Sequence, residues 1–196
     1  MMRATVNNPD ELAFRFVSGH RALDLLSTLG DRHREPVERL REPTDLDRWL
    51  TAAALPVDAQ ATGRDLAEAR RLRETVNRLV RAVLAGTAPH ADDVDMLNRC
   101  TQRPPLAPQI DASLERHWAG KRPVRAALAL IAREAAELLS SPDRDLIREC
   151  AAGSNCSLLY LDRSHARRRR WCEMDRCGSR AKMTSYRRRH AVSAQR

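Results

Sequence analysis

WCEMDRCGSRAK, residues 171–182, sets two cysteines five positions apart and runs straight into Gly-Ser-Arg. Such a pair is a redox couple, half of a metal site, or two buried thiols, and the choice decides how the last quarter of the chain folds. Working outward, Cys150, Cys156, Cys172 and Cys177 crowd into 28 residues as C-x5-C-x15-C-x4-C, while Cys100 stands 50 residues before the first of them. No C-x-x-C motif occurs, which disfavours a redox couple. Zinc takes four tetrahedral ligands, and two close pairs separated by an excursion of roughly 12–20 residues are how a short chain supplies them. Four thiolates from Cys150, Cys156, Cys172 and Cys177 would close the shell around one Zn2+, leaving no place for water or substrate, so the metal would be structural. Four ordinary semi-buried thiols are the alternative.

The flanking residues suggest how the ligands meet. CSLLYLDRS and RRRRWCEM both suit strands, with His165 and Ala166 at the tip of a hairpin, and Cys150 reads as the end of a helix DRDLIREC. Gly178 offers conformational freedom for a tight turn around a metal. From Ser179, SRAKMTSYRRRHA has helix composition, and Met183 and Tyr186 are spaced to pack on the hairpin or on Trp171.

Charge singles out the same segment. Residues 1–149 hold 23 Lys+Arg and 23 Asp+Glu, whereas residues 150–196 hold 12 and 3, so the whole excess of +9 lies in the tail. This asymmetry points to a polyanion partner for the tail, nucleic acid first and an anionic membrane surface second. Arg167, Arg168, Arg169, Arg170, Arg180, Lys182, Arg187, Arg188 and Arg189 are the candidate nucleic-acid contacts, the first four as phosphate grips and the rest on the helix. An adaptor that binds RNA or an acidic protein without reading sequence is the competing reading, with Trp171 and Tyr186 as stacking candidates.

The remaining 148 residues read as mostly helical, with a small β element. RALDLLSTLGD places Leu23, Leu26 and Leu29 on one side and Gly30 at its end; Thr44 and Asp47 resemble a capping box for DLDRWLTAAAL. GRDLAEARRLRETVNRLVRAVLAG repeats apolar residues with helical period from Leu66 to Val83, Gly86 caps it, and its Arg/Glu face reads as solvated. HADDVDMLNRC and VRAALALIAREAAELLS are further helices, the second begun by Pro123. Between them PQIDA and LERHW suit a strand pair.

The segment CAAGSNCSLLYLDRSHARRRRWCEMDRCGSRAKMTSYRRRH resembles the CGNR zinc-finger family of bacterial proteins, through Cys150, Cys156, Asp162, Ser164, Arg169 to Cys172, Met174, Cys177, Gly178, Arg180 and Lys182. It departs at Ser179, where the family usually has Asn. GHRALDLLSTLGDR followed by EPTDLDRWL is similar to the N-terminal part of the helical, stress-responsive ABATE domain, with Ser27 where Asn is common. The resemblance implies a zinc-containing transcriptional regulator that binds DNA, with an ABATE-like part over 1–148 and a finger over 149–196.

The helical part would then sense a small-molecule effector or form a homodimer, and His20, Asp24 and Thr28 are the candidates for an effector pocket. An enzyme is not expected, because the histidines follow no ligand-like repeat and no nucleophile elbow or phosphate-cradling loop occurs. Neither a membrane span nor a signal peptide is legible, so a cytoplasmic location is expected.

Overall fold

The computed structural model describes residues 12–153 and 156–193 of the 196-residue chain. In chain order its elements are α1 (Arg21–Leu26), β1 (Leu29–Gly30), β2 (Val37–Glu38), α2 (Pro43–Ala52), α3 (Gly63–Ala85) and α4 (Ala91–Thr101). There follow β3 (Ala107–Ile110), β4 (Arg116–Ala119), α5 (Pro123–Ser140), a 3-10 turn at Pro142–Leu146, β5 (Ile147–Glu149), β6 (Leu159–Leu161), a π turn at Met174–Gly178 and α6 (Ser179–Ser193). The fold is mainly α, and its strands form three separate antiparallel pairs.

Helical periodicity organises the core. Leu66, Ala69, Leu72, Val76, Leu79 and Val80 line one side of α3 and are buried, while α1 packs against α3 and α5, and α4 packs against both of those helices. Trp49 and Leu50 of α2 and Leu23 and Leu25 of α1 are fully buried in the same cluster. Each such side chain contributes roughly 1.5–3 kcal/mol by leaving water. The Thr62 hydroxyl accepts from the Asp65 N–H at 3.3 Å while the Asp65 carboxylate accepts from the Thr62 N–H at 3.0 Å, and Gly86 closes α3 with φ +63°. Strands β3 and β4 pair from Ala107↔Ala119 to Ile110↔Arg116, as the sequence predicts.

Other expectations need correction. The helix begun at Arg21 stops at Leu26, short of Gly30, because the Ser27 and Thr28 hydroxyls donate back to the carbonyls of Asp24 (2.7 Å) and Leu25 (2.6 Å). The chain then turns extended, and Leu29–Gly30 pairs with Val37–Glu38. Helix α2 is capped from Glu42, not Thr44: the Asp45 carboxylate accepts from the Arg41 and Glu42 N–H groups at 2.8 and 3.0 Å. The charged face of α3 is not all solvated. Arg73 is 3% exposed, makes a two-pronged ion pair with Glu38 at 2.7 Å and donates to the Thr28 hydroxyl at 3.2 Å.

The C-terminal unit differs most from expectation. Cys150 follows a strand, not a helix, since Ile147–Glu149 pairs with Leu159–Leu161. RRRRWCEM forms no strand; its backbone is held instead by single bonds, Ala151 N–H to the Arg170 carbonyl (2.8 Å) and the Tyr160 hydroxyl to the Arg169 carbonyl (2.6 Å). Met183 and Tyr186 are 54% and 56% exposed, and the Tyr186 ring lies 4.1 Å from that of His190. Along β5–β6 the side chains alternate, as strand geometry requires. Ile147, Leu159 and Leu161 join the helical core, whereas Leu158 and Tyr160 face the cysteines.

Candidate metal centre and nucleic-acid interface

Local backbone geometry brings the four thiols together. Cys150 leaves β5, and the chain reverses through Gly153 (φ +59°), letting the Cys156 N–H donate to the Gly153 carbonyl at 3.0 Å. Cys172 approaches from the 163–171 loop, with its N–H 3.5 Å from the Cys150 sulfur. Cys177 lies in the π turn, where its N–H and that of Gly178 both donate to the Glu173 carbonyl at 3.1 and 3.2 Å. Gly178 has an ordinary φ, and a Cβ there would press on the end of the exposed Met174 side chain, which can swing away.

All four sulfurs are buried and lie within 4.8 Å of one another, with Cys156–Cys172 at 3.8 Å and Cys172–Cys177 at 3.6 Å. A tetrahedron of Zn–S bonds of about 2.3 Å has edges of about 3.8 Å. The cluster therefore fits one zinc ion. Cys100 is buried in the helical core and lies outside the cluster.

Without a cation, these thiols cannot all ionise. Hydrogen bonds from Cys156 and Cys172 hold Cys150 far below the ordinary thiol range, hydrogen bonding with Cys150 and Cys156 raises Cys172, and burial pushes Cys177 up to about 12. A dication supplies the compensating charge, and its binding releases the thiol protons. Arg15 adds charge at the rim, with Nη2 3.9 Å from the Cys172 sulfur and 2.6 Å from Glu173. Burial works against its charge, but Cys172 and Glu173 outweigh burial and raise its pKa.

Asp162 closes the loop that carries the arginines. Its carboxylate accepts from the Ser164 N–H (3.1 Å), the Ser164 hydroxyl (2.6 Å) and the Arg169 N–H (2.9 Å), so the Asp-x-Ser pair is a loop clamp. Within this loop Arg167, Arg168 and Arg170 are exposed. Arg169 is committed to the finger, donating to the Trp171 carbonyl at 2.8 Å and to the Cys172 carbonyl, with its guanidinium 4.6 Å from the Tyr160 ring. Trp171 is half-buried against the cysteines, under the Arg170 guanidinium at 5.0 Å.

On α6, Arg180, Lys182 and Arg187 are exposed, and from Ser179 to Arg187 only Ala181 is half-buried. The side chains of Arg188 and Arg189 lie outside the described residues. Strand alternation does not govern residues 167–170, because no strand forms there.

His20, Asp24 and Thr28 each make a separate local contact. His20 caps α1, accepting from the Ala22 N–H at 3.3 Å; Asp24 is buried and accepts from the Ser18 N–H at 3.1 Å; Thr28 bonds Leu25 and Arg73. Sequence reasoning passed over Arg15, Arg39 and Arg176, isolated cations whose proximity arises only through folding.

A model of the ABATE family, described as "Putative stress-induced transcription regulator", matches residues 19–142. The chain belongs to the ABATE family. This ABATE protein also matches the CGNR zinc finger over residues 147–190, the segment that carries the cysteine cluster. Together these make it a zinc-finger protein of a regulator family, and neither family is one of enzymes. No match to the chain is found among curated proteins. Among the described residues of the ABATE protein, no helix is long and apolar enough to cross a membrane.

Proposed function

We propose that the protein is a DNA-binding transcriptional regulator in which residues 149–196 bind DNA and residues 1–148 receive a signal or mediate dimerisation. The observation that carries the reading is the group of exposed, unpaired cations on the finger, the part of the chain that holds the whole excess of +9. In the helical part, Arg21, Arg32, Arg73, Arg78, Arg81 and Arg125 each meet a carboxylate. In the finger, Arg167, Arg168, Arg170, Arg180, Lys182 and Arg187 are exposed and have no ion-pair partner among the described residues. Among its described residues helix α6 has no apolar face to bury, and it begins at the zinc knuckle, so the metal would fix the direction in which the helix enters a groove. Phosphate contact is the default role of these cations, and a helix-start residue such as Arg180 is the one best placed for a base edge.

The test is duplex-DNA affinity as a function of salt. With about six phosphates neutralised, log affinity falls against log salt with a slope of roughly −5 to −6, and Cys177→Ala abolishes the binding along with zinc content. Genome-wide occupancy of wild type beside Cys177→Ala extends the test to the cell. A salt-insensitive complex, or preference for structured RNA over duplex DNA at matched salt, overturns the reading.

A further inference from the structure

Where the helical part meets the finger there is a cavity of about 160 Å³, more than ten times the roughly 10–15 Å³ that a single water needs. Five arginines line it, Arg15, Arg32, Arg39, Arg176 and Arg180, against one carboxylate, Asp31, and two of the zinc-ligand cysteines, Cys156 and Cys177, form part of its wall. Two of the five are already engaged: Arg15 with Glu173 and Arg32 with Glu74. Arg39, Arg176 and Arg180 have no ion-pair partner among the described residues.

Arg39 is the informative one. It is 6% exposed, its Nη1 donates to the Ser27 carbonyl at 3.1 Å, and its Nε is buried with no partner. A guanidinium placed this way carries a desolvation penalty that folded proteins offset with an anion. Burial disfavours its charge, Asp31 favours it, and Arg15 and Arg176 oppose it, which lowers its pKa. Arg39 thus sits among both Arg15 and Arg176 and the carboxylates of Asp31 and Glu38, with no direct ion pair to either acid. Gly30 makes the arrangement feasible, because a Cβ at that position would collide with the Arg39 guanidinium. Asn77 lines the same cavity with a buried Oδ1 that no donor reaches.

We infer that this cavity binds a small phosphate-bearing anion, whose oxygens meet Arg39, Arg176 and Arg180 and whose hydroxyl donates to Asn77. Arg39 is too deeply buried for the phosphate of a DNA strand to reach, which favours a small ligand. The site is also shared between the two parts of the chain. Gly30 and Arg39 come from the helical part, whereas Arg176 precedes a zinc ligand and Arg180 lies in the first turn of α6. An anion held there ties the root of the basic helix to the helical core and withdraws Arg180 from DNA. The binding stands apart from the DNA reading; only this last consequence rests on it.

Titration calorimetry of the zinc-loaded full chain with inorganic phosphate, at fixed ionic strength in chloride, reads the binding without DNA. Saturable binding of one phosphate per chain is expected, with sulfate weaker because it lacks a hydroxyl donor at neutral pH. Arg39→Gln should weaken phosphate at least about tenfold with zinc content retained. Arg176→Gln, at an exposed position that carries no part of the core, should weaken it in the same direction. Phosphate binding no better than chloride, or both variants binding phosphate like wild type, overturns the inference. So does duplex DNA that displaces phosphate from wild type while Arg39→Gln loses DNA affinity alone, since the cavity would then serve a DNA phosphate.

Discussion

Asp24 is an acid kept where water is scarce. Burial raises its pKa from 3.8 to about 6, against the opposing hydrogen bonds from Ser18 and the charge of Arg21. Because the folded pKa lies above the unfolded one, its favourable contribution is fully present below pH 3.8 and is lost as pH rises through about 6. Above that, the ionised group opposes folding by on the order of 2–3 kcal/mol. Asp24→Asn keeps an acceptor for the Ser18 N–H and removes the charge. Urea unfolding should find the variant more stable than wild type at pH 7–8 and the two similar near pH 4. A residue's type thus foretold less than its surroundings. The four zinc ligands were legible because chemistry and spacing coincide, whereas Arg15 and Arg39 are unremarkable in sequence and gain meaning from neighbours 157 and 137 positions away, Cys172 and Arg176. The tight turn at Gly178 does not draw on glycine's backbone freedom, since its φ is ordinary.

Elements with a full period and a cap at each end, α3 above all, could be read directly from the chain. Short elements could not, because hydrogen bonds from single side chains decide them. Residues 167–172 have the composition of a strand, but Asp162 and Arg169 claim their backbone groups and fold them into a clamped loop. The same reasoning makes Asp162→Ala instructive. It leaves the Ser164 and Arg169 N–H groups without their acceptor and frees the arginine loop from the knuckle. Chelator competition should show faster zinc loss and a weaker DNA complex, while the far-ultraviolet dichroism of the helical core is retained. If zinc retention and DNA affinity both match wild type, the loop does not depend on this clamp.

At the scale of the whole molecule, β5–β6 belongs to two cores at once. Leu159 and Leu161 pack into the helices while Leu158 and Tyr160 pack against the cysteines, and Glu149 of the same ladder bonds Arg81 (2.6 Å) and His33 (3.0 Å). The Leu161 N–H also donates to the Ser18 carbonyl at 2.8 Å. Neither charge partition nor cysteine spacing reveals this sharing, since both read as if the chain divides cleanly near residue 148. A zinc-loaded fragment of residues 147–196 should therefore run as aggregates on size exclusion, and Leu159→Ser with Leu161→Ser should restore a monodisperse fragment. The same double substitution in the full chain should lower its melting temperature by opening the helical core. Many small zinc modules are strung through genomes like interchangeable beads; this finger is grafted to its host by three aliphatic side chains, and recombination that moved it would have to carry the helices along.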